Sequence, residues 1–435
     1  MKNSGKRSAA ILALAAAIVA FGFISCQGPA GPMGPKGDDG TSGGSAAPRA
    51  TVLEIMDALV PAFVAAMTTN PANDGLTTET AFTFRPTGYS LLDANAMTAV
   101  YTLVKGYWVN LDLSGMGGNS FGHAGAGIDK SRIRSVTLGQ DVSTIISGTD
   151  ETNGAFAGFN GLQRFTGNGV IVVGAHAFRN AAALTDIALP EARVIGYAAF
   201  FEAASLTSIN FPQATDIGIT AFYGTRIVEA NLPEARVIGG GAFMGVTSLT
   251  DINLPEARVI GANAFSTVSS LTDISLPQAT IIGGSAFAET NIARADLPQA
   301  KVIGDYAFYD VTSLTGITLP KARDIGEAAF VGTNITQADL PEARVIGWRA
   351  FSNVTSLTAV ILPNVESIES WAFDSCTALA SITINNATPP TLVNADAFAN
   401  TAANLEIFVP SASVDAYKAA ANWNHSSIVN RIKAR

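Results

Sequence analysis

Leu249-Thr250-Asp251-Ile252-Asn253-Leu254-Pro255-Glu256-Ala257-Arg258-Val259-Ile260-Gly261-Ala262-Asn263-Ala264-Phe265 holds the pattern from which the rest of the chain is read. Ile252 and Leu254 alternate with Asp251 and Asn253, the period of two expected of a half-buried strand. Pro255 ends that strand because it has no N–H to offer a neighbouring rung. Ala257 and Ile260 turn inward again, Gly261 permits a tight bend, and Ala264-Phe265 opens a short helical turn that leads to Leu271. A unit this short cannot bury its apolar face alone, so it needs copies stacked on both sides.

The copies are present. Phenylalanine preceded by alanine recurs as Phe156, Phe178, Phe200, Phe222, Phe243, Phe265, Phe287, Phe308, Phe330, Phe351, Phe373 and Phe398, with steps of 21 or 22 residues up to Phe373. The strand-ending proline keeps step from Pro190 to Pro363, and glycine stands four residues before the phenylalanine from Gly174 to Gly347. Three markers in register define a β-rich solenoid of about 21–22 residues per repeat, with short strands and a short helical turn. The phenylalanine column is its core, each ring contributing about 1.5–3 kcal/mol on burial. Cys376 stands three residues after Phe373, where other rungs carry Val246, Val268, Thr290 or Val311, and so is a small core residue.

Composition agrees and narrows function. Of 435 residues, 48% are hydrophobic and only 14% charged, and the net charge is −9. An acidic chain lacks the clustered Lys and Arg that neutralise phosphates, which argues against nucleic acid. Two cysteines, Cys26 and Cys376, cannot build a disulfide scaffold or a cysteine zinc cluster, and His123, His176 and His425 have no metal-ligand spacing. No base, nucleophile or metal set can be assembled, so neither an enzyme nor a cofactor is expected.

Lys2, Lys6 and Arg7 precede an uncharged apolar run from Ala9 to Phe23, the layout of a secretory signal. The run ends in Phe23-Ile24-Ser25-Cys26, which resembles a bacterial lipobox with Phe23 where the usual motif has Leu. That resemblance implies cleavage after Ser25 and acylation of Cys26, and so a lipid anchor in the envelope membrane. Gly28-Pro29-Ala30 opens a run of Gly-X-Y triplets that continues to Gly43 and resembles a collagen-like segment; it is either a tether or, less favoured, a trimeriser. The expected organisation is a signal at 1–25, anchor and tether at 26–47, a helical cap at 48–106, the solenoid at 107–400 and a second cap at 401–435. In the first cap, Val52 to Met67 and Ser90 to Lys105 have helical spacing and Pro71 to Gly88 is loop-like; in the last, Ser413 starts a helix through Ala421 and Trp423 closes the array.

Leu314-Thr315-Gly316-Ile317-Thr318-Leu319-Pro320, followed by Ile325-Gly326-Glu327-Ala328-Ala329-Phe330, resembles the BspA-like (treponemal type) leucine-rich repeat family of bacterial surface proteins. The ending from Ile407 to Lys418 resembles that family too, so the likeness spans Tyr107 to Arg435. The family often carries Cys three residues after the Phe, a form kept here only by Phe373 and Cys376. The resemblance implies no catalytic residues, and implies surface display with adhesion to host matrix proteins or other cells. The expected site is therefore the outer membrane, facing outward; a structural, inward-facing envelope lipoprotein without a host ligand is the alternative.

Outward columns locate candidate surfaces. One face carries Glu229, Asp251 and Asp273, close like charges that attract a basic partner or a divalent cation. The other carries arginines beside Val194, Val237, Val259, Ile281, Val302 and Val345, whose position is taken by Asp216, Asp324 and Ser367 in other rungs and therefore faces outward. Val237, Arg236, Val259, Arg258 and Ile281 form the candidate protein-binding strip, the acidic face being the alternative. Glu234 and Glu256 are expected to pair with arginines across rungs.

Overall fold

A computed structural model describes residues 52–69, 81–87, 94–122, 129–150 and 152–435. Cys26, the Gly-X-Y triplets and His123 lie outside the described residues. A typical rung supplies a longer strand, of three residues in the middle of the array and up to six towards its ends, and a two-residue strand. Strands of one kind pair in parallel with those of neighbouring rungs, as Asn231 does with Asn253 and Val237 with Val259. The result is a parallel β-solenoid with two ladders.

The ladders differ. The two-residue strands form one continuous 13-stranded sheet from Ser120–Phe121 to Thr391–Leu392. The longer strands are divided into sheets of five, three, three and five. The divisions fall between Asp186–Ala188 and Ser208–Asn210, between Asp251–Asn253 and Asp273–Ser275, and between Gly316–Thr318 and Gln337–Asp339. Ile252 and Ile317, on the strand before two of these divisions, are only half-buried.

The core is the phenylalanine column. From Phe121 through Phe156 to Phe398, one rung more than the Ala-Phe pattern shows, successive rings are near-parallel with centroids 4.7 to 5.9 Å apart. The segment expected as a short helical turn is realised as successive tight turns. Ala264, Ser266 and Val268 donate to Gly261, Asn263 and Phe265, whereas Phe265 and Thr267 donate to Ala286 and Ala288 of the next rung, at 2.8 and 2.9 Å. Alternate amides are thus spent between rungs, and Asn263 (φ 58) and Thr267 (φ 60) turn left-handed to aim them.

The 21-residue rungs have their own solution. Thr225, Thr290 and Thr333 stand where longer rungs carry Val246, Val268, Val311 and Val354 or the small Ala181, Ala203 and Cys376, and each hydroxyl donates to the carbonyl of Phe222, Phe287 or Phe330 at 2.7 to 2.9 Å. The following strand then presents Ala230, Ala295 or Ala338 to the core instead of isoleucine. In these shorter rungs a methyl group alone fills the inward position of that strand and is no more than 5% exposed.

Helix α1 (Val52–Thr69) and helix α2 (Ala94–Val104) precede the array. Phe63 packs edge-on against Phe82 and Phe84 at 5.8 and 5.6 Å. Those two residues belong to a strand, Phe82–Phe84, paired with Val109–Leu111 inside the stretch expected to be a loop. Three residues show a single alternation, too little for periodicity to register. At the other end α3 (Val414–Ala419) starts after Ser413, which makes no side-chain capping bond, and stops short of Ala421. Trp423 Nε1 donates to Pro390 and Asn422 Nδ2 to Leu392 and Val393, which satisfies carbonyls at the last rung. Among the described residues no helix is long and apolar enough to cross a membrane.

Candidate interaction surfaces

The strip is continuous. Val194, Asp216, Val237, Val259, Ile281, Val302, Asp324, Val345 and Ser367 are register partners along the uninterrupted ladder. Val237 and Ile281 are 38% and 42% exposed and Val259 is half-buried, so the column faces outward. Four apolar residues in consecutive rungs, Val237 to Val302, lie between the carboxylates of Asp216 and Asp324.

On this face, among the described residues, the expected cross-rung ion pairs form towards the C-terminal end. Arg323 meets Glu342 at 3.3 Å and Arg344 meets Glu366 at 2.8 Å. Among the described residues Arg236, Arg258 and Lys301 have no anionic partner, and all three are exposed. Glu234 and Glu256 do not reach them. The apolar strip is therefore edged by free cations.

The acidic face is arranged differently from its expectation. Glu229 and Asp251 are direct register partners. Asp251 and Asp273, expected on adjoining paired strands, instead face each other across a division of the ladder, and Asp273 pairs in register with Arg294. A cleft of about 340 Å³ opens there, lined by Thr250, Asp251, Asn253, Thr272, Asp273 and Ser275 over Ile252 and Ile274. Among the described residues no three His, Cys, Asp or Glu side chains come together to hold a metal ion.

A third surface escapes the column-by-column reading of the strands, because it lies after the glycine bend. Arg349 places its guanidinium carbon 4.6 Å from the Trp348 ring centre and 5.9 Å from that of Trp371. Tyr306 donates from its hydroxyl to Glu327 Oε1 at 2.5 Å, and its ring lies 5.7 Å from Tyr309. That hydrogen bond pushes the Tyr306 phenol above its ordinary pKa and keeps it a donor. The signal was in the sequence: rungs with Gly240-Gly241, Ala262-Asn263 and Gly284-Ser285 are followed by rungs with Asp305-Tyr306 and Trp348-Arg349 at the same position.

The model of the BspA type leucine-rich repeat region, in six copies, matches residues 129–246, 236–358 and 301–429, well over half of the chain. The chain belongs to the BspA-type leucine-rich repeat family. No curated protein matches it. Similar solved structures include a leucine-rich repeat protein from Bacteroides ovatus at 18% identity, covering 73% of this chain and 86% of that one with a TM-score of 0.37. A leucine-rich repeat protein from Eubacterium ventriosum is 16% identical over 75% of this chain and 91% of its own, with a TM-score of 0.37. A leucine-rich cell surface protein from Faecalibacterium prausnitzii is 17% identical over 81% and 95%, with a TM-score of 0.30.

In this BspA-type array the one cysteine of the repeats is inert. Cys376 is fully buried, its Sγ lies 3.0 Å from the Phe351 carbonyl oxygen, and burial pushes its thiol up to about 12. A thiol so placed supplies no thiolate at neutral pH.

Proposed function

We propose that this BspA-type chain is an envelope lipoprotein, anchored through acylated Cys26 and held off the outer membrane by the Gly-X-Y tether, whose solenoid binds a protein partner in adhesion to host matrix or other cells. The observation that carries the binding reading is the outward run Val237, Val259, Ile281 and Val302, β-branched residues on consecutive rungs of which Val259 is half-buried and the rest exposed, edged by Arg236, Arg258 and Lys301 without anionic partners among the described residues. Apolar contact supplies the affinity and the free cations select an acidic rim on the partner. Anchoring rests on the apolar run that stops at Cys26.

The test has two parts. Cys26→Ala is expected to move the protein from the detergent phase to the soluble fraction, and an unchanged partition refutes the anchor. Val237→Ser, Val259→Ser and Ile281→Ser together are expected to abolish adherence to matrix proteins with circular dichroism unchanged, since Asp already occupies that column at Asp216 and Asp324. Protease shaving of intact cells separates outward display, in which the solenoid is trimmed, from the inward-facing structural alternative, in which it is protected.

A further inference from the structure

We propose that Tyr306, Glu327, Trp348, Arg349 and Trp371 form a carbohydrate-binding platform, separate from the valine strip and taking a neutral oligosaccharide. The residues lie on four consecutive rungs, so the platform runs about 14 Å along the solenoid at ~4.8 Å per rung. Trp348 is 38% exposed, Tyr306 and Trp371 are half-buried and Arg349 is exposed. Two indoles, a phenol and a guanidinium on one surface are not what a solvated face requires.

Tyr306 (φ 59), Arg349 (φ 55) and Trp371 (φ 62) all occupy the left-handed region. In the three central rungs the same position holds Gly241, Asn263 and Ser285, small residues of which glycine and asparagine accept that conformation readily. His176 (φ 58), Ala198 (φ 49), Thr220 (φ 51) and Ala328 (φ 50) hold the same position in other rungs, so the left-handed turn belongs to every rung; what is particular to this stretch is that the turn presents large aromatic and guanidinium side chains.

The chemistry selects the ligand. A basic segment would seek the aromatic faces through cation–π contact, but Arg349 already lies over Trp348 and near Trp371 and would repel it. An acidic ligand would meet Arg349 together with the carboxylates of Asp305 and Glu327. A neutral sugar suits both: its C–H face lies on an exposed ring, and its hydroxyls both donate and accept. The acceptors are in place, since Tyr306 fixes Glu327 Oε1 at 2.5 Å and the Glu327 amide donates to Asp305 Oδ1 at 2.8 Å. The donor is in place as well, for the Arg349 guanidinium has no anionic partner among the described residues.

The test uses the full chain on an array of neutral glucan, mannan and N-acetylglucosamine oligosaccharides, with poly-L-lysine as a charged control. The retained oligosaccharide is then titrated in solution by tryptophan fluorescence. Trp348→Ala and Trp371→Ala are each expected to weaken binding at least about tenfold, with Trp348→Phe recovering most of it. Affinity should hold between ~0.05 and 0.5 M salt, because no net charge is neutralised. The valine-strip triple variant should bind sugar normally, so failure of the strip reading leaves this one standing. No retained oligosaccharide, or equal retention by Trp348→Ala, overturns the proposal. Salt-sensitive poly-L-lysine binding that depends on Trp348, with no sugar bound, overturns it in favour of a basic protein partner.

Discussion

Phe265→Ala probes the column that holds the array together. Phe265 is fully buried, and its ring lies parallel to Phe243 and Phe287 with both centroid distances at 5.4 Å. Returning the ring to water on unfolding is worth about 1.5–3 kcal/mol. The cavity adds to this, because hydrogen bonds from Phe265 N–H to Ala286 and from Phe243 N–H to Ala264 hold the rungs at fixed spacing and hinder collapse. The expected loss is about 3–5 kcal/mol. Rungs contact mainly their neighbours, so the damage should be local, with amides around Phe243, Phe265 and Phe287 losing protection before either cap. Urea titration followed by circular dichroism gives the magnitude, and hydrogen exchange with mass spectrometry gives its extent. A loss below about 1 kcal/mol, or protection falling evenly from Val109 to Ile432, would show that the column is not the main support.

Three further outcomes follow from particular sites. Ala295→Ile is expected to destabilise by about 1–3 kcal/mol, because its 21-residue rung leaves no room, while Ile274→Ala in a 22-residue rung costs about 2–5 kcal/mol by leaving a cavity; paired urea melts check the opposed directions of size change. Thr290→Val should cost no more than about 1 kcal/mol, because the backbone N–H of residue 290 still donates to the Phe287 carbonyl at 3.4 Å once the hydroxyl is gone, again read by urea melts. Burial raises the Cys376 thiol from 9.0 to about 12, so in that window the unfolded chain has lost a proton that the folded chain keeps. Stability should therefore fall as pH rises from 9.0 towards about 12, by no more than about 1.4 kcal/mol per pH unit. Cys376→Val should remove that part of the slope in pH-dependent melts.

Much of the fold was legible because the markers repeat. Phe265, Pro255 and Gly261 recur in register, and their residue types state strand, stop and bend directly. The valine column was legible for a subtler reason: Asp216 and Asp324 replace valine without breaking the period, which only an outward position tolerates. The divisions of the first ladder were not legible. Asp251 and Asp273 look equivalent in sequence, and the divisions fall between strands spaced by 22 residues as well as by 21, so no change of period marks them. The ion pairs misled because one-dimensional proximity of Glu256 and Arg258 says nothing about reach across rungs. The aromatic cluster was overlooked because Trp348 and Arg349 follow the bend, outside the strands whose faces alternation assigns.

The two ladders also bear on which face binds. A binding surface loses least on association when its backbone is already fixed. Val237, Val259 and Ile281 sit on the ladder that pairs without a break over 13 strands, and Tyr306 and Arg349 follow its bend with their amides donated to Glu327 and Ser370 of the next rung. Asp251 and Asp273 sit on the divided ladder, at the edges of a cleft where strand hydrogen bonding stops. A partner settling on that face would have to hold the division in one geometry while desolvating the carboxylates, and both cost affinity. The continuous ladder and the bend beside it are therefore the better seats for a ligand. The acidic face is the better place for the array to yield when it bends.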